Sequence, residues 1–141
     1  MEPRASVAVV VWRRKEPRFL LLRRAPAKGG GWQPVTGRVE VADGAGEAAL
    51  LAAAAREVEE ETGLAVVRVV DLGLASDFTG YDGHRYRERA FAAEVREDAH
   101  HRLSVEHDDA AWLTFDEALA RLTWAENKEA LRATRRVAEG V

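Results

Sequence analysis

Four glutamates stand within five residues in the stretch "AREVEEETGL", at Glu57, Glu59, Glu60 and Glu61. Like charges one helical turn apart repel each other, so the cluster is either solvated or built around something positive. At about 100° per residue, Glu57, Glu60 and Glu61 share one arc of a helix and Glu59 points away from them. Hard carboxylate oxygens grouped on one face suit Mg²⁺ or Mn²⁺, which take carboxylates, water and substrate phosphates as ligands. A solvated acidic face has the same spacing, and spacing alone leaves both readings open. On the other side, Leu51, Ala55, Val58 and Thr62 follow i, i+4, i+7, i+11 and predict the stripe that packs on the core.

The elements that must position this face can be read outward from it. Alanine, leucine and glutamate dominate from about Glu47 to Thr62, and Gly63 is a stop signal, so the spacing predicts one helix there. Upstream, "SVAVVVWRR" and "RFLLLRR" are β-rich runs separated by "KEP", which predicts two closely paired strands. "APAKGGGW" breaks regular structure with proline and three glycines. "WQPVTGRVEV" predicts a short strand entering the loop "ADGAG". Downstream, "LAVVRVVDLGLAS" and "RYRERAFAAEV" predict strands joined by the loop "DFTGYDGH", and "DAAWLTF" a shorter strand. Thr114 with Glu117 makes a capping box for "FDEALARL", and "AENKEALRATRRVAE" predicts a closing amphipathic helix. The expectation is an α/β (α+β) domain over residues 1–141, a mixed sheet flanked by helices, with no repeat or interdomain linker.

Composition narrows the function classes. With 47% hydrophobic and 32% charged residues, the 141-residue chain reads as a globular domain with a real core. A formal net charge of -3 argues against a broad nucleic-acid-binding surface. The absence of cysteine excludes disulfides, thiolate metal sites and cysteine nucleophiles. The apolar run near the N-terminus is too short for a membrane span and reads as a strand, which makes the cytoplasm the expected location.

The acidic helix also carries a resemblance. "REVEEETGL", from Arg56 through Leu64, matches the R-E-apolar-x-E-E-x-G-apolar half of the Nudix box, and Gly37 and Glu47 are similar to its opening glycine and first glutamate. The chain thus resembles the Nudix hydrolases, which implies the Nudix fold, a mixed β-sheet sandwiched between helices. Gly37 and Glu47 are separated by nine residues where the family usually has five, and Glu47 and Arg56 by eight where it has seven. The surplus falls in "ADGAG" and the alanine run, and loop length costs little chain entropy, so "ADGAG" is expected to be a tolerated insertion. "WQPVTGRVE", together with "EHDDAAWLTFDEALARLTWAENKEAL", is similar to the dihydroneopterin triphosphate (dATP-type) pyrophosphohydrolases.

The resemblance implies Mg²⁺-dependent (or Mn²⁺-dependent) hydrolysis of a phosphoanhydride in a nucleoside or pteridine triphosphate. It implies metal ligation by Glu57, Glu60, Glu61 and the backbone carbonyl of Gly37, with Glu47 the structural partner of Arg56. Glu57, Glu60 and the more distant Glu106 are the candidate bases, and Glu106 reads equally as an exposed loop acid. Arg23 and Lys28 are phosphate candidates, and Trp32 and Gln33 could line the base pocket, with Trp32 equally explained as core. Arg85, Arg87 and Arg89 alternate on one strand face, and Phe78, Tyr81 and His84 lie in a loop able to shape specificity. His100, His101 and His107 lack helical metal spacing and read as surface residues; Trp112 and Trp124 read as packing. The expected partner is a small nucleotide or pteridine triphosphate, without nucleic acid or membrane, and a homodimer stays open. Dinucleoside polyphosphates or nucleotide sugars are the alternative substrates, and a catalytically silent nucleotide-sensing module is the non-enzyme alternative.

Overall fold

The computed structural model describes residues 2–97, 101–102 and 107–140. The run Ser6 to Trp12 is apolar because β1 (Arg4–Arg13) is buried on both faces, as the central strand of a sheet covered on two sides must be. It pairs antiparallel with β2 (Arg18–Arg24) over its C-terminal half and with β4 (Val35–Arg38) over its N-terminal half. Pro34 divides β4 from the two-residue β3 (Trp32–Gln33), so the single strand expected over "WQPVTGRVEV" is two. β5 (Val66–Thr79) and β6 (Arg85–Val95) form an antiparallel hairpin, and β6 lies parallel to β1. β7 (His107–Leu113) pairs with β2, and the seven strands make one mixed sheet. β5 runs through "DFT", so the connecting loop is shorter than "DFTGYDGH".

Side chains alternate across a strand, and the core divides accordingly. Val7, Val9, Val11, Leu20, Leu22, Phe91 and Ala93 pack under α1 (Gly46–Thr62). Val10, Trp12, Phe19, Leu21 and Ala92 pack under α2 (Phe115–Arg121) and α3 (Ala125–Ala138). The sheet is therefore sandwiched between helices, as expected. The Thr114 hydroxyl accepts from Glu117 N at 3.2 Å and the Glu117 carboxylate accepts from Thr114 N at 2.9 Å, which completes the predicted capping box. Gly63 ends α1 in the left-handed region at φ 74°, a conformation cheap only for glycine.

The buried face of α1 is not the one expected. Ala49, Ala53, Ala54, Glu57, Val58, Glu61 and Thr62 face inward, while Leu51 is 41% exposed and Ala55 is only partly covered. The alanines let the helix backbone approach the sheet, and the stripe rotates toward them, which carries two glutamates to the buried side.

Candidate active site

Something positive does sit among the glutamates, and it is Arg56. Its guanidinium donates to Glu57 Oε1 at 2.8 Å and Glu60 Oε2 at 3.1 Å through Nη1. Nε and Nη2 form a fork onto Asp43 at 2.9 and 3.0 Å, and Nη2 also reaches the Arg38 carbonyl at 2.8 Å. One cation therefore ties α1 to the strand end that follows Gly37 and to the 3-10 turn Val41–Asp43. Asp43, its side chain only 4% exposed, is held below the usual carboxylate range, first by the Arg56 hydrogen bond. Arg56 is held protonated more firmly still by Asp43 and Glu57.

This corrects the reading of Glu47. Glu47 is 73% exposed and pairs with Arg89 at 3.2 Å, not with Arg56. Asp43 faces Arg56 in its stead, and five residues separate it from Gly37, the family's usual spacing. Counted from Gly37 the spacing points to this aspartate, but counted from Arg56 it does not, because twelve residues intervene where the family has seven. "ADGAG" is consequently not a free insertion, because it contains the buried partner of Arg56.

Glu57 and Glu61 are 7% and 6% exposed, one helical turn apart, whereas the Glu60 side chain is 57% exposed. Burial raises the Glu57 carboxyl pKa, and Arg56 offsets only part of that. Gly37 presses directly on this carboxylate: a Cβ there would stand 2.0 Å from Glu57 Cδ. Only glycine leaves the strand end this close to the acid. Among the described residues no three histidine, aspartate or glutamate side chains stand together closely enough to hold a metal ion by themselves. The donors nevertheless fit a hard divalent ion: two buried carboxylates on one helix face, a neighbouring exposed one, and a glycine backbone against the first.

The remaining candidates disperse. Arg23 donates to Asp108 at 2.8 Å and lies over the Trp32 ring, 5.9 Å from its centroid. Trp32 is half-buried and also receives Arg121 at 4.7 Å, so it is a cation-stacking surface as much as core. Lys28 falls in the 3-10 turn Pro26–Lys28, and its side chain, like the whole of Glu106 and His100, lies outside the described residues. Arg87 and Arg89 are engaged by Asp77 at 2.9 Å and Asp71 at 2.8 Å. Trp112 is partly buried against the core, but Trp124 is 63% exposed at the start of α3 and does not pack as expected. Tyr81 is 93% exposed at the β5–β6 tip, and the Asp82 beside it is clasped by Arg38 at 2.8 Å.

His107 is the residue the sequence reading missed. It is buried, not superficial, with Nδ1 3.7 Å from Glu61 Oε2 and its other ring nitrogen 3.4 Å from the Gln33 amide nitrogen. Without helical metal spacing it read as a surface histidine. The β-bulge that turns it inward, where β7 slips against Arg23 and Arg24, leaves no mark in residue spacing.

The fold and this acid-bearing helix define the class. Residues 2–134 match the NUDIX domain family, and the chain belongs to that family. The structure is similar to an Ap4A hydrolase of C. elegans, with a TM-score of 0.78 and 22% identity over 98% of this chain and 99% of that one. It is also similar to the E. coli dihydroneopterin triphosphate pyrophosphohydrolase, with a TM-score of 0.73 and 25% identity over 94% and 96% of the two chains. A curated relative, an octanoyltransferase of Myxococcus xanthus, is 41% identical over 130 residues, 90% of this chain. The chain spans only 35% of that relative's length. Among the described residues no helix is long and apolar enough to cross a membrane.

Proposed function

We propose that this domain hydrolyses a phosphoanhydride bond of a nucleoside or pteridine triphosphate, with Mg²⁺ or Mn²⁺ as cofactor, and releases pyrophosphate. The observation that carries the reading is the pair of buried carboxylates, Glu57 and Glu61, on the helix face pressed against Gly37. Buried carboxylates are costly unless paired, and Arg56 is a single guanidinium shared among Glu40, Asp43, Glu57 and Glu60. Glu57, Glu61, Glu60 and the Gly37 carbonyl are the groups that would hold the ion. A divalent ion bound there neutralises phosphate charge and lowers the pKa of water.

The chain's own residues do the rest. Arg56 fixes Glu57 and the backbone after Gly37 in one frame, so the donors are oriented before substrate arrives. Glu60, more solvent-facing than Glu57 or Glu61, is the candidate best placed to take a proton from water, with Glu57 and Glu106 as the other candidate bases. Trp32 and Gln33 lie on the strand that follows the glycine-rich turn and offer a stacking face and an amide to a heterocycle. Arg23 serves a phosphate only by leaving Asp108, and Lys28 stands on the turn beside them. The "WQPVTGRVE" stretch and the likeness to the dihydroneopterin triphosphate enzyme favour a triphosphate.

The likeness in fold to an Ap4A hydrolase keeps dinucleoside polyphosphates as the second reading. A panel of nucleoside triphosphates, dihydroneopterin triphosphate, dinucleoside polyphosphates and nucleotide sugars, incubated with Mg²⁺, separates the two. Monophosphate plus pyrophosphate from a triphosphate supports the first reading. Cleavage of dinucleotides or sugar nucleotides alone supports the second, and no cleavage of any supports a silent binding module.

A further inference from the structure

His107 stands between a residue of the proposed substrate side and a residue of the proposed metal face. Its side chain is fully buried, and the bulge between β2 and β7 sets it opposite Arg24, over the same face of the sheet as Gln33 and Glu61. The Gln33 amide nitrogen, 3.4 Å from His107 Nε2, can only donate, so Nε2 is the acceptor. A neutral imidazole that accepts at Nε2 carries its proton on Nδ1. Nδ1 is the nitrogen that faces Glu61 Oε2, at 3.7 Å, beyond hydrogen-bond length but within reach of electrostatic attraction.

We propose that Gln33 locks the tautomer of His107 so that its Nδ1–H steadies Oε2 of Glu61, leaving Oε1 to a cation. His107 is then a positioning residue: it touches neither substrate nor ion, and acts by holding a buried carboxylate in one rotamer. A carboxylate oriented by a second group binds an ion without first losing side-chain freedom, which is why such outer partners are worth about 10–100-fold in metal affinity. The same contact makes Gln33 a link between the heterocycle-facing strand and the helix, since a substrate that drew the amide away would release the ring. The role of Glu61 rests on the function proposed above, whereas the tautomer does not.

Nitrogen-15 NMR of the histidine-labelled protein, without metal, reads the lock directly. The His107 ring, assigned by its disappearance in His107→Asn, should show a protonated Nδ1 and a bare Nε2. Gln33→Leu should populate the Nε2–H form. A wild-type ring with Nε2 protonated, as it would be if the Gln33 oxygen faced it, overturns the proposal. Mn²⁺ binding, followed by electron paramagnetic resonance of the free ion, reads the consequence. His107→Leu and Gln33→Leu should weaken it about tenfold or more. His107→Asn, which can keep an N–H near the Nδ1 position, should retain most of the affinity. If His107→Leu does not fold, Gln33→Leu carries the same expectation. Wild-type affinity in the leucine variants overturns the positioning role. Failure of the wild type to bind Mn²⁺ overturns the metal reading of Glu61 and the positioning role together, and leaves the tautomer to be decided by NMR.

Discussion

At the scale of single residues, two positions decide how closely a charge can be packed. Gly37 lies so near Glu57 that a methyl group would collide with the carboxylate, 2.3 and 2.4 Å from its two oxygens. Gly37→Ala must therefore displace Glu57 or the strand end. Its expected outcome is a fold retained by circular dichroism with turnover reduced at least tenfold, the consequence of a misplacement of about 1 Å. Glu88 shows the opposite case, a carboxyl with no cation paired to it among the described residues. It lies on β6 beside Ser76 of β5, with Glu126 and Glu129 of α3 lining the same small cavity. Burial, and then Glu126, push it up to about 7 from its ordinary 4.5. The folded state then holds this proton more tightly than the unfolded chain. The contribution is full below about pH 4.5 and is lost as pH rises through about 7, a change on the order of 3 kcal/mol. Glu88→Gln should accordingly raise Tm near pH 8 and leave it unchanged near pH 4.5, measured by thermal melts across that range.

At the scale of elements, the join between the glycine strand and α1 is held by one fork. Asp43→Ala leaves Arg56 without its bidentate partner and should cost roughly 1.5–3 kcal/mol in denaturant unfolding, with loss of activity as the Gly37 strand end loosens. Glu47→Ala, at an exposed site paired with Arg89, should stay within about 1 kcal/mol of wild type. Equal effects of the two would return the structural role to Glu47. The extent of α1 was legible in the sequence because alanine-rich propensity and Gly63 mark it. Its buried face was not, because small alanines, not Leu51, define the contact with the sheet. The partner of Arg56 was hidden by residue type and by distance: an aspartate stands where the box has glutamate, and twelve residues separate it from Arg56.

At the scale of the whole molecule, the layered order of helix, sheet and helices was legible because β1 and β2 are continuous apolar runs, α1 ends at Gly63, α2 has its capping box and α3 is amphipathic. The Nudix helix was legible because the spacing of its acids and arginine is a local property of a single element. What stayed hidden, His107 against Glu61 and Asp43 against Arg56, depends on a bulge and a turn that bring distant segments together. The account gives the acidic face one function: a divalent ion bound by Glu57 and Glu61 supports cleavage of a triphosphate. An ion that binds only the native state stabilises it, so added Mg²⁺ should raise the wild-type Tm more than that of Glu57→Gln or Glu61→Gln. The most direct test is phosphorus-31 NMR of one cleaved triphosphate with Mg²⁺, run on wild type, Glu57→Gln, Glu61→Gln and the outward-facing Glu59→Gln. The account predicts pyrophosphate from wild type and Glu59→Gln, and loss of most turnover in the other two with α1 intact. Equal pyrophosphate release by all four proteins would contradict it and reduce the glutamates to a structural face.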